Sequence, residues 1–235
     1  MLTVVILAGG LATRLQTVLK DIPKSLIDIC GKPFIDWQLK LLSKSGVERV
    51  VLCTSYKSEM IEDYVGDGSK YGIEVNYSKD GPIQLGTGGA IRKAAKTLEE
   101  KFMVLYGDSY LPIDYNAVQS VFENIDELAL MSIYKNNNEF DSSNVHFEFG
   151  KVKNYSKNSK SDRFNYIDYG LSFFHKSIFE VHSLDEKFDL SDTFSALCKA
   201  DQLAAFEVKQ RFYEVGSAGG ISDFTEYIKR SRNVL

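Results

Sequence analysis

From Thr3 to Tyr110 the chain switches repeatedly between two hydrophobic periods, and that alternation leaves few folds open to it. TVVILA (Thr3–Ala8) is a continuous apolar, largely β-branched run, the pattern of a strand buried on both faces. FIDWQLKLLSKSG, which follows Pro33, sets Phe34, Trp37, Leu41 and Leu42 on one helical stripe and closes at Gly46. VERVVLCT reads as a second strand, KSEMIEDYVGDG as a short helix ending at glycine, and GIEVNYS as a third strand. GTGGAIRKAAKTLEE is helical once past its glycines, and FMVLYGDSY is a fourth apolar strand interrupted at Gly107-Asp108. The β-α-β-α order predicts an α/β fold, a Rossmann-like, doubly wound and mostly parallel sheet with right-handed crossovers.

The second half changes character. Strand patterns at Ala129–Tyr134, Asn144–Phe149, Lys151–Tyr155 and Asp168–Phe174 lie close together, separated by the polar segments YKNNNEFDSSN and SKNSKSDRFN. The helix DTFSALCKAD, the strand LAAFEVK, the strand RFYEVG and an amphipathic helix over Ile221–Arg230 complete the chain. No repeat or linker divides it. Its 235 residues suit one large domain, 1–235, in two halves: about 1–112 of nucleotide-binding type, and about 113–235, rich in hairpins, for a second ligand.

Ligands of open α/β sheets bind at the carboxyl ends of the strands. Four features fall at such ends: Gly9-Gly10, Gly81–Gly89, Gly107-Asp108 and Glu214-Val215-Gly216. Each alone is an ordinary turn; four together suggest a site. In AGGLATR, backbone N–H groups without bulky side chains can form an anion nest, and Arg14 offers a forked cation for phosphate oxygens. Lys24, expected in an extended segment after Pro23, is a compact second cation, whereas Lys20 reads as a solvated surface charge. The spacing matches neither the P-loop nor the dinucleotide fingerprint. Asp108 is either a turn cap or a metal ligand. With Glu214 it makes a two-carboxylate set of the kind that suits Mg²⁺, which keeps waters and takes further oxygens from substrate phosphates.

The remaining chemistry is negative evidence. A net charge of −4 disfavours nucleic acid as partner. Cys30, Cys53 and Cys198 are widely spaced and read as buried thiols of a reducing compartment, not as a disulfide or zinc set. His146, His175 and His182 pair with no nucleophile and read as structural. The apolar run at the N-terminus is too short for a signal peptide or membrane span, so a cytoplasmic protein without membrane partners is expected, as a monomer or small homo-oligomer.

LAGGLATRL, IPKSL, GKPFIDWQLKLLSKSGVERVVL, QLGTGGAIRKA, YGDSY and FYEVGS occur in an order and spacing that resemble the sugar-1-phosphate nucleotidylyltransferases, over nearly the whole chain. The chain is most similar to small bacterial members that act as heptose-1-phosphate guanylyltransferases or N-acetylmuramate-1-phosphate uridylyltransferases. The resemblance implies that Leu7, Ala8, Gly9 and Gly10 hold the nucleotide, that the loop to Arg14 covers its triphosphate, and that Arg14 steadies departing pyrophosphate. It implies that Lys24 bridges the α-phosphate and the sugar phosphate, that Gln84, Gly86 and Thr87 border the base and ribose, and that Asp108 and Glu214 hold Mg²⁺. Tyr169 and Gly170 would line the sugar pocket, with Asn144 and Lys157 as further sugar contacts.

Three departures from the family pattern stand out: Ala12 replaces the third glycine of the first loop, Ser25 follows Lys24 where proline is usual, and Glu214 stands where Asp is common. The implied reaction joins an NTP to a sugar 1-phosphate, GTP with D-glycero-D-manno-heptose 1-phosphate first among them, giving an NDP-sugar and pyrophosphate. Uridylyl or cytidylyl transfer to another phosphorylated acceptor, such as N-acetylmuramate 1-phosphate or a phospho-alcohol, and a binding-only subunit of the same fold are the alternatives.

Overall fold

The computed structural model describes residues 1–10, 22–55, 57–157, 161–184 and 186–232. The nucleotide-type half runs β1 (Val4–Leu7), β2 (Asp28–Ile29), β3 (Lys32–Pro33), α1 (Phe34–Lys44), β4 (Arg49–Thr54), α2 (Ser58–Val65), β5 (Glu74–Lys79), α3 (Gly86–Ala94), β6 (Lys101–Tyr106) and β7 (Ser109–Tyr110). The rest runs α4 (Tyr115–Glu123), β8 (Ala129–Lys135), β9 (Val145–Glu148), β10 (Lys151–Tyr155), β11 (Tyr166–His175), α5 (Ser177–Glu180), α6 (Leu190–Lys199), β12 (Leu203–Val208), β13 (Tyr213–Glu214) and α7 (Ala218–Arg232).

Strands β6, β1, β4 and β5 pair in parallel, as the alternating pattern requires. The sheet then continues through β11, which is antiparallel to β6, into the hairpin β9–β10 on one side, while β8 and β12 branch from β11 on the other. Successive residues of β1 serve opposite faces: Val4 and Ile6 enter one hydrophobic cluster and Val5 the other. A third, smaller cluster joins Phe34 and Val215 to Phe224 and Ile228 of α7.

Some expectations are redrawn. Helix α1 does not present a single stripe. Ile35, Leu39 and Leu42 pack on the sheet, while Phe34, Trp37 and Leu41 face α7, so the helix is buried from two sides. Helix α4 escapes the sequence reading, although Asp114 caps it by accepting from Ala117 N–H at 3.1 Å. FMVLYGDSY divides into β6 and β7 at Gly107, and α7 begins at Ala218 rather than Ile221. Of the three thiols only Cys53 is fully buried; Cys30 and Cys198 are half-buried. Among the described residues no helix is long and apolar enough to cross a membrane.

Candidate active site

The carboxyl ends of the parallel strands open into a cleft of about 760 Å³ lined by residues of both halves of the chain. At the end of β1 the backbone passes very close to its neighbours. A Cβ at Gly9 would stand 2.7 Å from Ser55 Oγ, and Ser55 Oγ donates to the Gly9 carbonyl at 2.8 Å. A Cβ at Gly107 would come within 2.9 Å of Ala8 Cα. Leu7, Ala8, Gly9 and Gly10 all line the cleft. Arg14, Ala12 and Lys20 lie outside the described residues.

Lys24 is not in an extended segment. Pro23 is extended, with ψ 145°, but Lys24 opens a single 3-10 turn to Leu26. This turn carries its side chain past Gly10 and sets Nζ 3.1 Å from Asp108 Oδ2. Asp108 sits in the kink between β6 and β7, and the kink is clamped by a residue the motif search missed. Gln38 of α1, almost fully buried, donates from Nε2 to the Tyr106 and Ser109 carbonyls, both at 2.8 Å. On the far side Val215 N–H donates to the Asp108 carbonyl at 3.0 Å, and β7 pairs with β13 so that Glu214 faces Ser109. Glu214 accepts from Gly216 N–H and the Ser217 hydroxyl, which ties its carboxylate to the start of α7. Gly216 marks the centre. A Cβ there would lie 2.9 Å from Glu214 Oε2 and 3.3 Å from both Asp108 Oδ2 and Lys24 Nζ. Two carboxylates and one ammonium, drawn from three distant stretches of chain, thus meet around a residue that leaves them room.

The glycines of α3 have a packing use besides the one expected of them. Gly88 and Gly89 donate N–H to the Phe188 carbonyl, and side chains at Gly86 or Gly88 would collide with Phe188. Thr87 Oγ1 accepts from Leu190 N–H at 2.8 Å, holding the start of α6. Gln84, Gly86 and Thr87 nevertheless line the cleft beside Asp80, whose carboxyl is raised by burial.

On the other wall the sequence expectations are partly displaced. Tyr169 lines the cleft, though it is only about 1% exposed and its ring packs near Tyr134 and Phe212. Gly170, at φ 100°, does not line the cleft; it allows β11 to bulge against Ser109 and Tyr106. Asp168, one residue before Tyr169, lines the cleft as well. Its Oδ2 accepts from the Tyr106 hydroxyl at 2.7 Å and its Oδ1 from Gly170 N–H at 2.9 Å. Burial pushes its carboxyl up to about 6, against the lowering effect of those two hydrogen bonds. Burial and Asp168 together hold the Tyr106 phenol far above its ordinary range, so it remains a donor. Asn144 Oδ1 accepts from Asp168 N–H at 2.9 Å, and Lys157 pairs with Asp189 at 3.0 Å. One sequence signal could have revealed Asp168: an acid inside an otherwise apolar strand. None of the three histidines lines the cleft.

A sequence model of nucleotidyl transferases matches residues 3–231. The chain belongs to the nucleotidyl transferase family. The D-glycero-α-D-manno-heptose 1-phosphate guanylyltransferase of Campylobacter jejuni is 32% identical over 215 residues, covering 90% of this chain and 93% of that one. The enzyme of the same name from Aneurinibacillus thermoaerophilus is 37% identical over 194 residues, 81% of this chain and 82% of its own. The crystal structure of HddC from Yersinia pseudotuberculosis, complexed with GMP-PN, superposes with a TM-score of 0.79 at 30% identity, over 97% of this chain and all of that one. The inositol-1-phosphate CTP transferase from T. maritima, at 24% identity and a TM-score of 0.80, shares the fold. This nucleotidyltransferase therefore has the architecture its motifs imply, with a parallel half and a hairpin-rich half meeting at one cleft.

Proposed function

We propose that the chain transfers a nucleotidyl group from an NTP to a sugar 1-phosphate, with GTP and D-glycero-D-manno-heptose 1-phosphate as the pair. The observation that carries this reading is the convergence of Lys24, Asp108 and Glu214 around Gly216, at the strand ends where phosphates would meet. The printed activities of the two guanylyltransferase relatives, and the guanine nucleotide held by HddC, support the choice of substrates.

A sugar phosphate is ionised at neutral pH, so its oxygen can attack the α-phosphorus directly, and pyrophosphate leaves in line. No protein nucleophile is required, in keeping with a cleft lined by no histidine. Lys24 would leave Asp108 to meet the α-phosphate and the incoming sugar phosphate, and the amides at Gly9 and Gly10 would approach the nucleotide. Arg14 would serve the pyrophosphate side. Catalysis then rests on alignment and charge neutralisation.

Asp108 and Glu214 are the residues that would hold Mg²⁺. The donor set fits: two carboxylates reach the same point beside a missing Cβ, and among the described residues no third acid or histidine joins them. That leaves positions for water and phosphate oxygens, the usual coordination of this ion. Bound there, the ion would neutralise charge on the triphosphate.

The test is pyrophosphate release with each of four NTPs against heptose, mannose, glucose and N-acetylmuramate 1-phosphates and phosphocholine, with and without Mg²⁺. Release with GTP and the heptose phosphate, abolished by EDTA, by Lys24→Ala and by Asp108→Ala, is expected. Release only with phosphocholine, or none with any sugar phosphate, would overturn the reading.

A further inference from the structure

We propose that the hairpin of β9 and β10 carries a second ligand site, apart from the cleft, that takes an organic phosphate. A cavity of about 560 Å³ lies against this hairpin and shares no lining residue with the cleft. A bulge shapes it. Val152 pairs with Phe147 and Asn154 with His146, so Lys153 is an extra residue in β10. In a strand of regular alternation Val152 and Tyr155, three residues apart, would face opposite sides of the sheet. Both are instead buried in the second hydrophobic cluster, and the two residues between them, Lys153 and Asn154, are both exposed and both line the cavity. The bulge thus turns two successive polar side chains into one concavity. A turn supplies the rest. Phe164 N–H donates to the Ser161 carbonyl at 3.0 Å and Arg163 N–H to Ser161 Oγ at 3.3 Å. This turn brings Arg163 and Ser161 to the cavity together with Phe164, which is buried.

The charges gathered there require an anion. Among the described residues neither Lys153 nor Arg163 forms an ion pair, and the neighbouring Asp201 is paired with Lys151 at 2.6 Å. Glu148 is the one acid among the lining residues, and it stands 3.8 Å from Nε2 of His146, which lines the cavity too. An ammonium and a guanidinium on one concavity repel each other until a negative group lies between them, and a phosphate fits the guanidinium fork. The positive excess is local, since the chain as a whole carries a net charge of −4. The volume, within the range of small-molecule sites, exceeds what a bare phosphate fills. Asn154 and Ser161 can hydrogen-bond the organic part, and Phe164 adds an apolar surface for it.

The test is an amide-shift titration of the full chain by NMR with phenyl phosphate and, separately, inorganic phosphate, at physiological salt. Phenyl phosphate should shift amides of residues 146–154 and 161–164 with a Kd of about 1 mM or tighter, and inorganic phosphate should bind the same place more weakly. Lys153→Gln and Arg163→Gln should each weaken binding by about 10-fold, the cost of one charge-assisted hydrogen bond. Lys151→Gln, on the same hairpin but outside the cavity, should leave it unchanged, and so should Lys24→Ala in the cleft. Because the exchanged residues on the hairpin and turn are exposed, the variants should keep the wild-type spectrum elsewhere and the wild-type rate of pyrophosphate release. Shifts confined to residues 8–10 and 84–87, equal binding by the two phosphates, or binding that survives both Lys153→Gln and Arg163→Gln would overturn the inference. None of these outcomes bears on the proposed reaction, which is read by pyrophosphate release in the cleft.

Discussion

Gly216 does more for the site than any charged residue could do alone, because it is the space that the charges share. A methyl group at that position would press on the ends of Glu214, Asp108 and Lys24 and on no backbone atom among its three nearest neighbours. Flexible side-chain ends can yield, so the fold tolerates the change better than the chemistry does. Gly216→Ala is expected to shift Tm by no more than about 2 °C, within the range of an ordinary mild substitution. It should also lower kcat by about 100-fold, the usual cost of disturbing a preorganised electrostatic site. Thermal melts and steady-state rates on the same preparation check both halves. Asp168 shows the opposite bargain. Its carboxyl lies at about 6 in the fold, above the ordinary value near 3.8, because burial penalises its charge. Its contribution to stability is therefore fully present below about pH 4 and is lost as pH rises through about 6. Asp168→Asn removes that loss. The variant should melt higher than wild type by about 5 °C at pH 7.5 and by clearly less at pH 5, read from paired melting curves.

Among the elements, α1 reaches furthest beyond its own packing. One face lies on the sheet and the other on α7, and from between them Gln38 clamps the two carbonyls on either side of Gly107-Asp108. Gln38→Met keeps the bulk but leaves both buried carbonyls without a donor. It should cost about 1–3 kcal/mol in chemical denaturation. Nucleotide turnover should fall through kcat, since the kink that carries Asp108 is loosened. The segment 186–190 plays the matching part on the other side of the cleft, docked against the glycines of α3 through Phe188 and against Thr87 through Leu190. A glycine row expected to border the base and ribose is thus also a docking surface for the chain that returns from the second half.

For the molecule as a whole, the third cluster is the weak joint. It is small, and with the Arg211–Asp223 ion pair it attaches α7, just before which Ser217 holds the Glu214 carboxylate. Phe224 is its centre, with ring centroids 5.3 Å from Phe34 and 4.7 Å from Tyr110. Phe224→Ala should cost about 3–5 kcal/mol. Hydrogen exchange should speed up in α7 and β13 before it does in the parallel strands, because the two larger clusters do not pass through this residue.

What the chain alone determined is what depends on local periodicity and on position along a strand. β-branched runs with intervening helical stripes require a parallel sheet, and the strand-end rule is enough to pick out Gly9-Gly10, Asp108 and Glu214 before any contact is known. Lys24 was legible for a similar reason, as a cation beside a proline and near the first glycines. The rest depends on relations that no local pattern encodes. That Asp168 and Tyr169 both line the cleft depends on a bulge in β11, because a strand of regular alternation turns successive side chains to opposite faces. Gln38 sits on a helix whose pattern says only that it is amphipathic, and its clamp exists because α1 crosses the β6–β7 kink. Phe188 gives the α3 glycines their second purpose from a hundred residues away. The sequence by itself named Lys24, Asp108 and Glu214, the charges that converge at Gly216. Only the tertiary structure decided what holds them in place, because a side chain's position is set by partners remote in the chain.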